Sequence, residues 1–370
     1  MNQKATRFEE EAGIVIALDP RFPIEDVKMI GARLNESQAL VPGFNPPTAG
    51  ITSLEALLYA RHVERTTIVV LPDRNVVSRM ARAARDGVTH PVDGPTQIAI
   101  DLMALSQAMN FDVEPSIAFH ELAHHEGNAI ANAELRWFHA ANHGQAEAWI
   151  QLALGRTNQL PKIELGSPNN LDLAAPLHRW RCNYAVALRV AALELGAQTP
   201  LERAAMLLNW MVSDFIVAGP AAIFAAMFLS PRASRAGMLK QLKSPDRTRA
   251  IAGVRNAAWD ITHLSDFVRR VKSTDYPDKR FILATADRAL AQLGKILFTN
   301  AENLDEFEEQ LAMNIEPWWE NDATMVAKLV SDAIAAADKR CPPEAPAGID
   351  DYVGHWIAAG EHEVTSWPPR

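Results

Sequence analysis

Four acidic residues in this 370-residue chain stand where a folded sheet would gather them. Asp73 follows the β-branched run TTIVVLP and Asp287 follows RFILATA, so each closes a predicted strand. In a parallel sheet, ligands bind outside the carboxyl ends of the strands, which makes polar residues there candidates for chemistry. Glu121 lies early in a predicted helix after the extended FDVE, and Asp260 lies in NAAWDITHLSDFVRR, shortly before the strand that delivers Asp287. Asp266 in that same segment and Asp246 at its start compete with Asp260 for the role. If the strands are neighbours, the acids converge on one pocket. Clustered carboxylates repel one another and lose solvation, and a divalent cation is the natural way to hold them together. Oxygen ligands suit Mg²⁺ or Mn²⁺, and such a site hydrolyses phosphodiesters by activating a water and neutralising charge on the phosphate.

The run SIAFHELAHHEG carries a second pattern. His120 and His124 are four positions apart, share a helical face, and could hold one Zn²⁺ with Glu121 as general base. The spacing resembles that of HExxH zinc metallopeptidases. A third ligand is then required, and Glu147 in GQAEAWI or His143 lies within helical reach downstream. Ile130 stands where a longer zinc signature would place another His. Without a metal, the histidines are packing and surface residues of a helix. Glu121 is a ligand in one enzymatic reading and a base in the other, so replacing it does not separate them.

The elements that must position these residues are legible in part. GIVIAL (13–18) reads as a short strand, and Pro20, Pro23, Pro42, Pro46 and Pro47 then predict irregular structure to about residue 50. Residues 52–65 carry apolar positions at helical spacing, 66–71 read as a buried strand, and 75–87 and 95–110 as helices. Pro115 and Ser116 mark the start of the helix bearing Glu121. Residues from about 145 to 245 are expected to be almost entirely helical, without an internal repeat. Then RFILAT (280–285) reads as a strand, ADRALAQLG (286–294) as a helix, KILFT (295–299) as a strand, and the tail from about 301 as helical. Strands alternating with helices predict a parallel α/β sheet.

Hydrophobic residues at 48% and charged residues at 22% are ordinary for a globular protein, so composition excludes neither an enzyme nor a scaffold. Two cysteines, Cys182 and Cys341, give neither a disulfide framework nor a zinc ribbon and suit a reducing cytoplasm. The N-terminus lacks a basic start followed by an apolar run, so no secretory signal is expected. The apolar stretch from Phe215 to Leu229 is shorter than the roughly 20 residues that span a bilayer and reads as a core helix. A net charge of −9 means that a nucleic acid must be met by a local basic surface. The segment SPRASRAGMLKQLKSPDRTRAIAGVR supplies one, with Arg232, Arg235, Lys240, Lys243, Arg247, Arg249 and Arg255. Phosphate contacts from these residues would carry affinity; a solvated or paired helix face is the structural alternative. The nine tryptophans are scattered and read as packing residues, with Trp318 and Trp319 the one pair suggestive of a partner contact.

The acids in their order resemble a PIN-like nuclease domain. VVLPDRNVV is similar to that family's first strand with its Asp, VEPSIAFHELA to its Ser-initiated helix bearing a glutamate, and FILATADRAL to its late strand followed by Thr and Asp. The resemblance implies metal-binding roles for Asp73, Glu121, Asp260 and Asp287, with Asn75 and Thr285 as supporting polar groups. Arg288, beside Asp287, would orient a phosphate or make a surface salt bridge. It implies a parallel sheet core flanked by helices over 51–139 and 246–300, an all-helical insertion over 140–245 and a helical C-terminal extension over 301–370, with 1–50 an irregular segment. About 139 positions separate Glu121 from Asp260, which is what requires the insertion. The implied activity is metal-dependent hydrolysis of nucleic acid, RNA before DNA, in the cytoplasm and away from membranes. A non-catalytic interaction protein of the same fold is the other outcome, and oligomeric state is not readable.

Overall fold

The computed structural model describes residues 16–162, 164–168, 170–233, 238–298, 301, 303–339 and 350–368. In chain order the elements are α1 (Ile24–Ser37), β1 (Leu40–Pro42), α2 (Leu54–His62), β2 (Thr67–Pro72), α3 (Arg74–Asp86), α4 (Gly94–Met109), β3 (Asp112–Val113), α5 (Ser116–Glu126), α6 (Asn128–Asn142) and α7 (Ala146–Ala153). They continue with α8 (His178–Leu195), α9 (Pro200–Ser213), α10 (Gly219–Phe228), α11 (Arg247–Lys272), β4 (Lys279–Ala284), α12 (Arg288–Leu297), α13 (Leu304–Trp319), α14 (Ala323–Asp338) and α15 (Tyr352–Ser366).

The sheet is small and mixed, in the order β1-β4-β2-β3. β2 pairs in parallel with β4, Thr67 opposite Lys279 through Pro72 opposite Ala284, and in parallel with β3. β1 runs antiparallel to β4 on the edge. Successive side chains of a strand point to opposite faces, and both faces here are apolar. Val69, Leu71, Phe281 and Leu283 join the core built with α8 to α14. Ile68, Val70, Ile282 and Ala284 join the core built with α1 to α7. The sheet is therefore the middle layer of three, which is why TTIVVL and RFILA read as continuous apolar runs.

Several expectations are corrected. The segment expected to be irregular up to residue 50 contains α1 and β1: Val27, Ile30, Gly31 and Leu34 recur at helical spacing and are buried, and Pro23 sits at the helix start, where its missing N–H costs nothing. Of the strand expected at 13–18, residues 13–15 lie outside the described residues and 16–18 have no regular structure. The strand expected at 295–299 is absent over 295–298, because α12 continues through Gly294 to Leu297, burying Leu290, Leu293 and Ile296 on one face; 299 lies outside the described residues. Gly294 is there for close approach to the edge strand, since a Cβ would come within 3.3 Å of Val41. The stretch 145–245 is less helical than expected: no helix or strand is assigned among the described residues of 154–177, which hold Pro161, Pro168 and Pro176, or of 229–246.

The apolar run at 215–229 forms α10, whose Ala221 to Phe228 are all buried. No helix among the described residues is long and apolar enough to cross a membrane. Trp319 is buried and donates its indole N–H to the Ala226 carbonyl at 2.7 Å, so that half of the tryptophan pair holds α13 against α10 and does not await a partner.

Candidate active site

Because β2 and β4 are parallel and in register, their carboxyl ends coincide and deliver Asp73 and Asp287 side by side in the fold. Each acid also begins a helix. Asp73 caps α3, accepting the Val76 N–H at 2.8 Å, and Asp287 caps α12, accepting the N–H groups of Ala289 and Leu290 at 2.8 and 3.2 Å. Thr285 links the two: its hydroxyl donates to the second oxygen of Asp73 at 2.5 Å and accepts the Asp287 N–H at 2.9 Å. Both carboxylate oxygens of the buried Asp73 are thus held.

Glu121 arrives from α5, which follows β3 after the turn at Glu114 and Pro115. It faces α11, where its Oε2 lies 3.1 Å from His263 Nε2. Asp260 lies one helical turn before His263 on that helix. Burial pushes its carboxyl well above the usual range, and Glu121, then Asp287, then Asp73 push it further; Lys240 opposes them. Asp260 therefore feels all three of the other predicted acids. The carboxyl of Asp73 is raised as well, chiefly by burial, with its bonds to Thr285 and Val76 and the nearby His263 working in the other direction.

The two competitors of Asp260 are engaged elsewhere. Asp246 caps α11 through the N–H groups of Thr248 and Arg249. Asp266 is buried against Arg269 and Arg270, each at 2.7 Å, and its carboxyl stays below the usual range despite burial because those guanidinium groups hold it ionised.

Among the described residues no three His, Cys, Asp or Glu side chains stand together as a preassembled ligand set. The alternative zinc residues have separate partners. His120 Nδ1 lies 2.7 Å from the Leu173 carbonyl, and His124 Nδ1 lies 2.8 Å from the His120 carbonyl. Glu147, on α7, accepts from Gln151 at 2.5 Å, and α7 packs against α4. His143 closes α6.

Of the supporting groups, Thr285 is buried in the site, Asn75 is exposed at the second position of α3, and Arg288 is exposed at the start of α12. The basic run is largely tied up within the fold. Arg232 pairs with Glu320, Lys243 lies 3.9 Å from Glu194, and Arg249 lies 3.3 Å from Asp246. Arg247 donates to the carbonyls of Leu242, Ser244 and Val364, and Arg255 pairs with Glu361 at 3.0 Å. Arg235 lies outside the described residues. Among the described members of the run, Lys240 is the one whose charge reaches Asp260.

Two features escaped the sequence reading. His263 is one, although a His three positions after an acid on a helix was the available signal. The other is an aromatic cluster of Trp180, Tyr184, Trp259 and His124, drawn from three helices by tertiary packing. Comparisons with protein families, with characterised proteins and with solved structures found no match for this chain.

Proposed function

We propose that this protein is a divalent-metal-dependent nuclease that hydrolyses phosphodiester bonds, of RNA in preference to DNA, with a PIN-like core. The observation that carries this reading is the convergence of Asp73, Glu121, Asp260 and Asp287, from four separate elements, at the carboxyl end of the parallel strands. Nothing in the packing of a core calls for a buried acid repelled by three others, and hard oxygen donors of this kind fit Mg²⁺ or Mn²⁺. The raised carboxyl of Asp260, buried beside three other acids, is the kind of perturbed titration that clusters at functional sites.

When bound, a divalent cation supplies positive charge for the phosphate oxygens and lowers the pKa of a water. The chain's own residues do the positioning. Thr285 fixes the carboxylate plane of Asp73, His263 holds Glu121 toward the cluster, and Lys240 adds a positive charge on the Asp260 side. The sheet provides the rigid floor on which these groups stand.

The test is cleavage of single-stranded RNA with Mg²⁺ or Mn²⁺ by the parent, Asp73→Asn and Asp287→Asn. Loss of at least about a hundredfold in each variant is expected for removal of a metal-binding carboxylate. Undiminished cleavage by the two Asn variants ends the reading.

A further inference from the structure

Beside the acid cluster lies a cleft of about 640 Å³ lined by side chains of α5, α8, α11 and α15, among them aromatic rings, Arg181, Arg255 and Glu361. Trp180, half-exposed, stacks on the buried Tyr184 with ring centres 4.9 Å apart and planes inclined by 19°. Trp259 closes the inner side at 5.4 Å from Trp180, and His124 lies 5.2 Å from Trp259. Tyr184 cannot drift: its hydroxyl donates to Glu361 at 2.6 Å, and Arg255 reaches both the same carboxylate, at 3.0 Å, and the phenol oxygen, at 3.3 Å. The Trp180 indole N–H is buried with no partner among the described residues.

The cleft adjoins the proposed catalytic site along the seam of α5 and α11. Glu121 and His263 meet at one level of that seam, and His124 and Trp259 meet one turn further on. Trp259 is the immediate neighbour of Asp260. We propose that this cleft is a nucleobase-stacking subsite for a single strand whose phosphate reaches the acid cluster, a proposal that rests on the nuclease reading. A volume in the roughly 300–1,000 Å³ range of ligand sites holds a nucleoside. Trp180 offers it a π-face backed by Tyr184, and Arg181 and Arg255 also line the cleft and carry charge for a sugar-phosphate backbone. The Glu361 carboxylate accepts from an exocyclic amine. Stacking of this kind tolerates any base, because every base has a π-face.

The experiment is fluorescence anisotropy of the full chain with a short labelled RNA of mixed sequence, in EDTA so that nothing is cleaved, beside an abasic strand of equal length. Trp180→Ala is expected to weaken binding of the base-bearing strand about tenfold or more, and Trp180→Phe to keep most of it. Ala252→Trp, which fills the cleft from an exposed position on α11, is expected to weaken binding with the stacked pair left in place. The abasic strand should bind weakly to every form. Absence of binding by the parent, equal affinity for the abasic strand, or unchanged affinity in Ala252→Trp overturns the subsite. Cleavage that survives Asp73→Asn while these binding results hold instead overturns the nuclease reading and leaves the cleft a binding site.

Discussion

Glu121 Oε2 and His263 Nε2 lie 3.1 Å apart although 142 positions separate them in the chain. The pair joins α5 to α11 and sets where the glutamate points. His263 is buried, so its ring is held by the surrounding core and in turn holds the acid. His263→Leu is expected to lower Mn²⁺ affinity by about tenfold or more, the usual cost of losing a group that orients a ligand. Calorimetric titration with Mn²⁺ measures this, and an unchanged dissociation constant would show that Glu121 needs no such support.

Thr285 is the hinge between the two strand-end acids. Thr285→Val keeps the shape but leaves an oxygen of Asp73 and the N–H of Asp287 without a partner inside the fold. Unsatisfied buried groups cost about 1–3 kcal/mol each, so chemical denaturation should give a loss of that order for the valine variant. Thr285→Ser should retain both bonds and most of the stability. Equal stability of the valine variant and the parent would mean that the site relaxes to find other partners.

The raised carboxyl of Asp260 fixes the sign of a pH dependence. An acid whose folded pKa exceeds its unfolded value binds more protons in the folded state, so stability falls as pH rises from about 3.9 through the folded value. Asp260→Asn cannot ionise and escapes that loss. In EDTA its melting temperature should match the parent's below the ordinary carboxylate value and exceed it by a few degrees near neutrality. Adding Mn²⁺ should stabilise the parent and close the gap. A gap that does not change with pH would contradict the electrostatic account.

Lys240 is held near Asp260 by an uncommon backbone. Leu239 and Gln241 on either side adopt positive φ of 40° and 61°, and the Lys240 backbone lies against Gly253 so closely that a Cβ there would strike its carbonyl. Gly253→Ala should therefore push the segment off α11 and cost about 1–3 kcal/mol, read by thermal or urea unfolding. Lys240→Ala removes a charge that opposes the rise of the Asp260 carboxyl. The acidic limb of the Mg²⁺-dependent rate should then move to higher pH, and a shift to lower pH would count against the assignment.

Much of the frame was legible in the chain because it rests on local periodicity. Two buried strands with acids at their ends, the helix that follows the first of them and the start of the helix bearing Glu121 stand within a residue or two of where the sequence pattern puts them. The misses have local causes as well. A run of prolines masked α1 and β1, whose evidence was the spacing of Val27, Ile30, Gly31 and Leu34. Gly294 imitated a helix stop while serving as a contact with Val41.

What the sequence determined by itself was the kind of residue available at each strand end, since side-chain chemistry and the parallel-sheet rule need only neighbouring positions. Tertiary structure alone separated Asp246, Asp260 and Asp266, because what faces each acid differs: a helix start, three other acids, or two arginines. It also decided that most of the basic run is spent on internal carbonyls and carboxylates, and that scattered tryptophans meet at a cleft. Burial, the repulsion of like charges and the pairing of opposite ones act through space between residues far apart in the chain, and periodicity carries no record of them.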